Sequence, residues 1–365
     1  MPICLHSDHF NYDPAPGSKW LCEQPCAEFQ DRSSKCINIG LINNMGDGAL
    51  QATERHFLSL LDSASDGISI RLTRYSLPGI LRSESAARYV QDFYSSTESL
   101  LNTRLDGLIV TGREPSTPSL SEEPYWESLV RVLEWAPENT HSSVWSCLAA
   151  HAAILHMDGI GRVKSSLKHC GIFECARVSD HLLTARTPAR FALPHSRWNG
   201  VPEETLTSRG YNVLTRSTDA GVDTFVKTQK SLFVFLQGHP EYESNTLLLE
   251  YRRDVGRYFR GETDTYPSMP RSYFDHGTVN ALTALQEEAL SHPREELLAQ
   301  VTTVLEEARI ENTWHATAAG IYRNWLDYIC AQKRLRFSGS KFAVQLHGAD
   351  RLAPALATVG DTSVS

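Results

Sequence analysis

The stretch Val144-Trp-Ser-Cys-Leu-Ala-Ala-His151 decides the fold, because a short apolar run there turns at Cys147 directly into a helix-forming segment. A second apolar run, Leu232-Phe-Val-Phe-Leu-Gln237, ends by presenting His239 and Glu241. Short apolar runs bounded by turn residues are typical of buried strands. Both stretches therefore predict strands of a covered sheet, and each strand ends near reactive side chains.

The chain from residue 36 onward alternates strand and helix patterns. β-branched runs predict three further strands, at Cys36-Ile-Asn-Ile-Gly-Leu-Ile-Asn43, Ile68-Ser-Ile-Arg-Leu-Thr-Arg-Tyr75 and Asp106-Gly-Leu-Ile-Val-Thr-Gly112. This alternation predicts an α/β fold with a mainly parallel sheet and helices on both faces. Ligands of such folds bind at the carboxyl ends of the strands, where Asn43, Gly112, Cys147 and His239 fall. We therefore expect one site at that edge.

Cysteine, histidine and carboxylate at neighbouring strand ends are the parts of a thiol nucleophile, its general base and the orienter of that base. A buried cysteine after a strand is more often inert core, so each residue alone indicates little. Together, Cys147, His239 and Glu241 indicate covalent acyl chemistry. The backbone N–H of Leu148, at the helix start, would form half of an oxyanion hole.

Composition argues against several classes of protein. The 365 residues are 41% hydrophobic and 21% charged, which is ordinary for a globular protein. A formal net charge of −8 without a dense Lys/Arg run argues against a nucleic-acid binder. No stretch approaches the roughly 18 apolar residues of a membrane helix, and the N-terminus lacks the features of a secretory signal. We expect a cytoplasmic protein that binds neither nucleic acid nor membrane.

The eight cysteines are too few for a disulfide framework in so long a chain. Two close pairs, Cys22 with Cys26 and Cys170 with Cys175, suggest a zinc site, and the spacing of the first is one that zinc pairs use. No neighbouring pair completes four ligands convincingly. We therefore expect reduced thiols, no metal and no bound cofactor.

Three segments are predicted along the chain. Residues 1–35, rich in Pro, Ser, Asp and Cys without periodicity, predict a loosely ordered extension. Residues 36–335 form the predicted catalytic domain, in which 275–310 is an added helical segment with a break near Ser291-His-Pro-Arg294. Residues 336–365 are the predicted C-terminal tail.

Seven motifs are co-linear with those of a known family: Asp106-Gly-Leu-Ile-Val-Thr-Gly112, Glu123-Pro-Tyr-Trp126, Val132-Leu-Glu-Trp135, Pro194-His-Ser-Arg197, Gly238-His-Pro-Glu-Tyr242, Glu250-Tyr-Arg-Arg-Asp254 and Asn324-Trp-Leu-Asp-Tyr328. The chain thereby resembles the homoserine O-acyltransferases, also called homoserine transsuccinylases. These enzymes share the fold of class I glutamine amidotransferases. The resemblance runs from about Cys36 to about Tyr328, interrupted by the helical segment.

The resemblance implies a two-step transfer with acyl-CoA as co-substrate. Cys147 would take the acyl group from the thioester, with His239 as general base and Glu241 as its orienter. The acyl group would then pass to the hydroxyl of L-homoserine, in methionine biosynthesis. Glu250 and Arg253 match the amino-acid site of the family and share one face of a predicted helix; the alternative is an intrahelical ion pair.

Arg197 matches a substrate-loop residue of the family, and the alternative is a surface arginine. The loop after the first strand departs from the family, in which it usually reads Met-Pro-Lys-Lys. Here it reads Asn43-Asn-Met-Gly-Asp-Gly48, without lysine. The candidate substitutes at the acyl site are Asn43, Asn44 and backbone N–H groups.

The donor-selecting position of the family falls near Ser116, and Arg113 beside it could pair with a succinyl carboxylate, which favours succinyl-CoA over acetyl-CoA. The resemblance also implies a homodimer. Three other readings stay open. The acceptor could be L-serine or another hydroxy amino acid, because one methylene is worth only about 1–3 kcal/mol in a pocket. The second alternative is a glutamine amidotransferase, which would have glycines where this chain has Trp145 and Ala149. The third is a non-catalytic binding protein.

Overall fold

The computed structural model describes residues 3–6, 36–292 and 294–337. Within these ranges the strands are β1 Ile3–His6, β2 Cys36–Ile42, β3 Ser69–Tyr75, β4 Gly107–Val110, β5 Ser142–Ser146, β6 Val163–Arg177, β7 Arg190–Gly200, β8 Asn212–Ser217, β9 Gly221–Thr228 and β10 Leu232–Leu236. The α-helices are α1 Asp47–Ala64, α2 Glu84–Phe93, α3 Thr97–Leu101, α4 Trp126–Asn139, α5 Leu148–Asp158, α6 Glu203–Ser208, α7 Thr246–Phe259, α8 His276–Ser291, α9 Glu296–Glu307 and α10 His315–Phe337.

These strands form one sheet in the order β1-β3-β2-β4-β5-β10-β9-β8-β6-β7. Neighbouring strands are parallel from β1 to β10 and antiparallel from β10 to β7. The predicted α/β fold with a mainly parallel sheet is confirmed. The antiparallel half is a feature that the sequence patterns did not indicate.

The two central strands, β5 and β10, are buried on both faces of the sheet. Trp145 and Phe235 pack on one face beneath α4 and α5, and Val144 and Val234 pack on the other beneath α1 and α10. Successive side chains of a strand point to opposite faces, so a strand covered on both sides reads as an uninterrupted apolar run. The two stretches that predicted the fold are therefore its core.

The predicted helical segment at 275–310 consists of α8 and α9, separated at the predicted break. Asp275 caps the first of these helices, because its carboxylate accepts a hydrogen bond from the Thr278 N–H at 3.0 Å. Leu282, Val301 and Leu305 pack against Tyr251 and Val255 of α7, among others. The segment thus supports α7, the helix that carries Glu250 and Arg253.

Several predictions concern the ends of the chain and its relation to a membrane. Residues 3–6 of the predicted extension form β1, which pairs with β3. The rest of that extension, with Cys22 and Cys26, and the tail beyond residue 337 lie outside the described residues. Among the described helices, none is both long enough and apolar enough to cross a membrane.

Candidate active site

Cys147 lies at a sharp turn between the end of β5 and the start of α5. Its backbone, with φ 52° and ψ −113°, adopts a conformation that residues with side chains rarely take. The Cys147 N–H donates to the Leu236 carbonyl of β10 at 2.7 Å, and Ser146 lies opposite Leu236 in the sheet. The strained turn therefore holds the thiol at the carboxyl edge of the sheet, beside the positive end of a helix dipole.

His239 follows β10 at the same edge and lies between Cys147 and Glu241. Its Nδ1 is 2.8 Å from Glu241 Oε1, and the ring of Tyr242 stacks on the imidazole with centroids 4.2 Å apart. Burial lowers the pKa of His239, but the charges and hydrogen bonds of Glu241 and Cys147 outweigh it and raise that pKa well above its usual value. The raised pKa favours the charged imidazolium form of His239, which the neighbouring Cys147 sulfur and Glu241 carboxylate stabilise.

Gly112, after β4, packs directly on the start of α5. A Cβ atom at Gly112 would lie 2.6 Å from the Leu148 nitrogen and 2.7 Å from the Leu148 Cβ. The Gly112 N–H donates to the Ser146 carbonyl at 3.1 Å, whereas the Leu148 N–H has no acceptor among the described residues. The first N–H groups of a helix have no intrahelical partner, so Leu148 offers a free donor beside Cys147.

A Gly112→Ala variant is expected to lose catalytic rate by displacing the Leu148 N–H. Loss of one oxyanion donor costs about 10²–10³ in kcat, so we expect a fall of about that size, with little change in KM for either substrate. Steady-state kinetics and a thermal melt would measure this. Gly48→Ala is the matched control, because a Cβ there meets nothing within 4 Å. A Gly112→Ala enzyme with the wild-type kcat would remove Leu148 from the oxyanion hole.

Asn43 and Asn44, the predicted substitutes for the lysines of the acyl loop, are buried and hydrogen-bonded within the fold. The Asn43 amide donates to the Leu50 carbonyl at 2.9 Å and to the Tyr94 hydroxyl at 3.2 Å. The Asn44 amide donates to the Thr111 carbonyl at 3.0 Å. A role of these side chains at the acyl group stays a prediction, and their observed contacts shape the loop.

The cation at this loop is Arg82, which the sequence analysis did not single out. Its guanidinium donates to the Met45 carbonyl at 3.1 Å and to the Ser76 hydroxyl at 2.9 Å, and it lies 3.7 Å from Asp47. Arg82 is far from the loop in sequence, so no local spacing could have indicated this contact.

Ser116, at the predicted donor-selecting position, is bound by Glu123. The Ser116 N–H and hydroxyl donate to the Glu123 carboxylate at 2.6 and 2.8 Å, and the Thr117 N–H donates at 2.9 Å. Burial raises the pKa of Glu123, but these hydrogen bonds outweigh it and lower that pKa below its usual value. Glu123 therefore closes the loop after β4. Arg113 lies in this loop, and its charge acts on Tyr125.

Glu250 and Arg253 lie on α7, but each has a partner of its own. Glu250 accepts hydrogen bonds from the Tyr242 hydroxyl at 2.6 Å and from the Ser196 hydroxyl at 2.5 Å. The Arg253 guanidinium pairs with Asp254 at 2.8 Å and is half exposed. The alternative of a Glu250–Arg253 intrahelical ion pair is therefore wrong. Because Tyr242 also stacks on the His239 imidazole, Glu250 lies one side chain from the predicted general base.

Arg197 is buried, with a relative exposure of 5%, so the alternative of a surface arginine is wrong. Its guanidinium donates to the Asn199 carbonyl at 2.7 Å and to the Ala220 carbonyl. Burial lowers the pKa of Arg197, against the opposing charges of Cys147 and Asp223. This geometry brings a fixed positive charge to the neighbourhood of the thiol.

A second cluster is buried and consists of Cys175, His195 and Asp223. The sulfur, ring nitrogen and carboxylate oxygen of these residues could each bind a metal, and they lie within 4.8 Å of one another. Cys170, the other cysteine of the predicted zinc pair, is not part of it. The Asp223 carboxylate accepts hydrogen bonds from the Thr215 hydroxyl at 2.8 Å and the Gly238 N–H at 3.1 Å. With three ligands and a carboxylate already hydrogen-bonded, the cluster does not fit a structural zinc site. It fixes the backbone just before His239.

Comparison with known proteins relates this chain to proteins named as enzymes. A family model described as homoserine O-succinyltransferase matches residues 20–336. A homoserine O-succinyltransferase of Rhodopseudomonas palustris is 42% identical over 81% of this chain and 90% of its own length. One of Methylorubrum extorquens is 43% identical over 80% and 86%. A solved glutamine amidotransferase of Thermotoga maritima is 12% identical with a TM-score of 0.43, over 80% of this chain and 98% of that one.

Proposed function

The chain belongs to the homoserine O-succinyltransferase family, and from this premise we propose that it transfers a succinyl group from succinyl-CoA to the side-chain hydroxyl of L-homoserine. The observation that carries the mechanism is the juxtaposition of Cys147, His239 and Glu241 at one edge of the sheet. The product, O-succinyl-L-homoserine, would serve methionine biosynthesis.

The first half-reaction forms a thioester on Cys147. The thiolate attacks the carbonyl carbon of succinyl-CoA, and the developing oxyanion accepts a hydrogen bond from the Leu148 N–H. When the tetrahedral intermediate collapses, the bond to the coenzyme A sulfur breaks, and the His239 imidazolium protonates the departing thiolate. Free coenzyme A leaves, and His239 is neutral.

The second half-reaction uses the neutral His239 as a general base. It takes the proton of the homoserine hydroxyl while that oxygen attacks the Cys147 thioester. Collapse of the second intermediate breaks the carbon–sulfur bond, so that the Cys147 thiolate and the His239 imidazolium are restored. Glu241 keeps the imidazole oriented through both steps, as the third group of such triads does.

The amino acid would bind between Glu250 and Arg253. The Glu250 carboxylate is held by two hydroxyls, so it is oriented toward a substrate ammonium without being neutralised by a cation of its own helix. Arg253 pairs with Asp254 and keeps further N–H donors for a carboxylate. In this proposal the zwitterionic end of the substrate lies beside His239.

An Arg253→Lys variant is expected to raise KM for homoserine about tenfold, because lysine keeps the charge but loses the planar fork, and one charge-assisted hydrogen bond is worth about 1.5–3 kcal/mol. The half-reaction with succinyl-CoA alone should stay at the wild-type rate. Arg252→Lys, one residue earlier on α7, is the matched control. Wild-type KM in the Arg253→Lys enzyme would mean that the acceptor binds elsewhere, and Arg197 would be the next candidate.

The function itself is tested by steady-state kinetics with succinyl-CoA and acetyl-CoA, each against L-homoserine and L-serine. We expect the highest kcat/KM for succinyl-CoA with homoserine. Higher activity with serine would change the acceptor, and ammonia release from glutamine would indicate an amidotransferase. Absence of transfer with every pair would refute the proposal. The homodimer and the cytoplasmic location stay predictions from the sequence.

A further inference from the structure

A cavity of about 610 Å³ borders the helix that begins beside Cys147. His151 and Leu155 of α5 line it, and these residues lie four and eight positions after Cys147. Positions four apart share one face of a helix, so His151 and Leu155 lie on the face of α5 that starts at Cys147, roughly 6 and 12 Å along the helix from it at 1.5 Å per residue. Arg162, Lys164 and Trp198 also line the cavity.

Arg162 is the residue of this cavity that most directly indicates an anionic ligand. Its side chain is partly buried, and among the described residues no carboxylate lies within ion-pair distance of it. Burial lowers the pKa of Arg162, and the nearby Tyr125, Glu123 and Cys147 act in the opposite direction. A partly buried guanidinium that lacks an ion-pair partner, close to the reactive thiol, is suited to bind an anionic group of a ligand.

An aromatic ring and a second cation also line the cavity. Trp198 is 48% exposed although it is large and apolar, and Lys164 Nζ lies 5.8 Å from the centroid of its ring. An exposed tryptophan flanked by cations offers a stacking surface for a purine and point charges for phosphates. The chain has a formal net charge of −8, so Arg162 and Lys164 form a local positive region on an acidic protein.

We propose that this cavity binds the coenzyme A portion of the acyl donor, with the phosphates against Arg162 and Lys164 and the purine against Trp198. The inference rests on the proposed function, because a thioester carried by coenzyme A must extend from Cys147 to solvent. Two cations and an aromatic ring among the lining residues suit the phosphates and the purine of that carrier.

The test compares two donors that carry the same acyl group. Succinyl-CoA contains the phosphates and the adenosine, whereas succinyl-N-acetylcysteamine keeps the thioester and lacks both. In Arg162→Gln and Lys164→Gln variants we expect kcat/KM for succinyl-CoA to fall about tenfold or more, with kcat/KM for the truncated donor unchanged. Arg190→Gln is the matched control, because this exposed arginine of β7 pairs with Glu174 at the far end of the strand.

Three outcomes decide the inference. An equal fall in kcat/KM with both donors would overturn it and would assign Arg162 to the acyl carboxylate. An unchanged kcat/KM for acetyl-CoA, which lacks that carboxylate, would then confirm the assignment. Unchanged kinetics in both cation variants and in Trp198→Ala would also overturn it. If the wild-type enzyme transfers no acyl group at all, the proposed function fails, and calorimetric titration with free coenzyme A still tests the cavity. Binding that Arg162→Gln weakens would support the inference, and absence of binding would refute it.

Discussion

Replacing Cys147 by alanine is expected to abolish both the acyl-enzyme and the transfer reaction. Wild-type protein incubated with succinyl-CoA alone should gain one succinyl mass, on the peptide that contains Cys147. The alanine variant should gain none, because Cys147 is the cysteine whose sulfur lies beside His239. Burial raises the pKa of Cys170 to about 11 and also raises that of Cys175, which leaves both thiols protonated and unreactive.

The alanine variant also separates catalysis from folding. Alanine keeps the Cβ atom of Cys147 at the strained turn and removes only the sulfur, so the variant should fold and retain binding of homoserine, measured by calorimetry. Cys170→Ala is the control, because it removes a thiol without touching the site and should be labelled as the wild type is. Labelling of the Cys147→Ala protein at another residue, or full turnover, would show that the nucleophile is a different group.

Removing His239 is expected to have the second-largest effect, a loss of about 10²–10⁴ in kcat, the usual value of general acid–base assistance. Glu241→Gln should cost less, because Glu241 orients the ring and raises its pKa without reaching the substrate. The negative charge of Glu241 determines the direction in which its removal shifts the pH profile. Glu241 raises the pKa of His239, so the imidazolium persists to a higher pH in the wild type than in the variant.

The pH profile of kcat/KM for succinyl-CoA measures this shift. In the proposed mechanism the His239 imidazolium protonates the departing coenzyme A, and this charged form is lost as the pH rises through the raised pKa of His239. In Glu241→Gln the descending limb should therefore move to lower pH. Glu243→Gln, an exposed carboxylate two residues away, is the matched control and should leave the limb in place. A Glu241→Gln enzyme with an unchanged rate and profile would reduce the triad to a dyad.

The central part of the fold could be predicted because β5 and β10 are buried on both faces. Uninterrupted apolar runs followed by Cys147 and His239 showed where each strand ends. Strands β6 and β7 were missed for the opposite reason. The start of β6, around Lys164, has its side chains largely exposed, and the buried positions of β7 include His195 and Arg197. Polar residues in buried strand positions hide the apolar pattern on which sequence reading depends.

The candidate site could likewise be predicted only in part. The meeting of Cys147, His239 and Glu241 at one edge could be predicted because Cys147 and His239 follow recognisable strands and Glu241 lies two residues from His239. The closing of the donor loop by Glu123, the stacking of Tyr242 on His239 and the burial of Arg197 could not. Each depends on contacts between elements that are distant in sequence, and no local spacing encodes such contacts.

The direct pairing of β5 with β10 has a consequence for how the protein matures. Ser146 and Leu236 are opposite each other, yet the whole antiparallel half of the sheet lies between them in the chain. Pairing of strands so distant in sequence carries a high cost in loop closure and forms slowly. A ribosome that has passed Cys147 has made the proposed nucleophile before its proposed base, His239. The Cys147 thiol of the nascent chain therefore has no His239 beside it until β10 is inserted at the centre of the sheet.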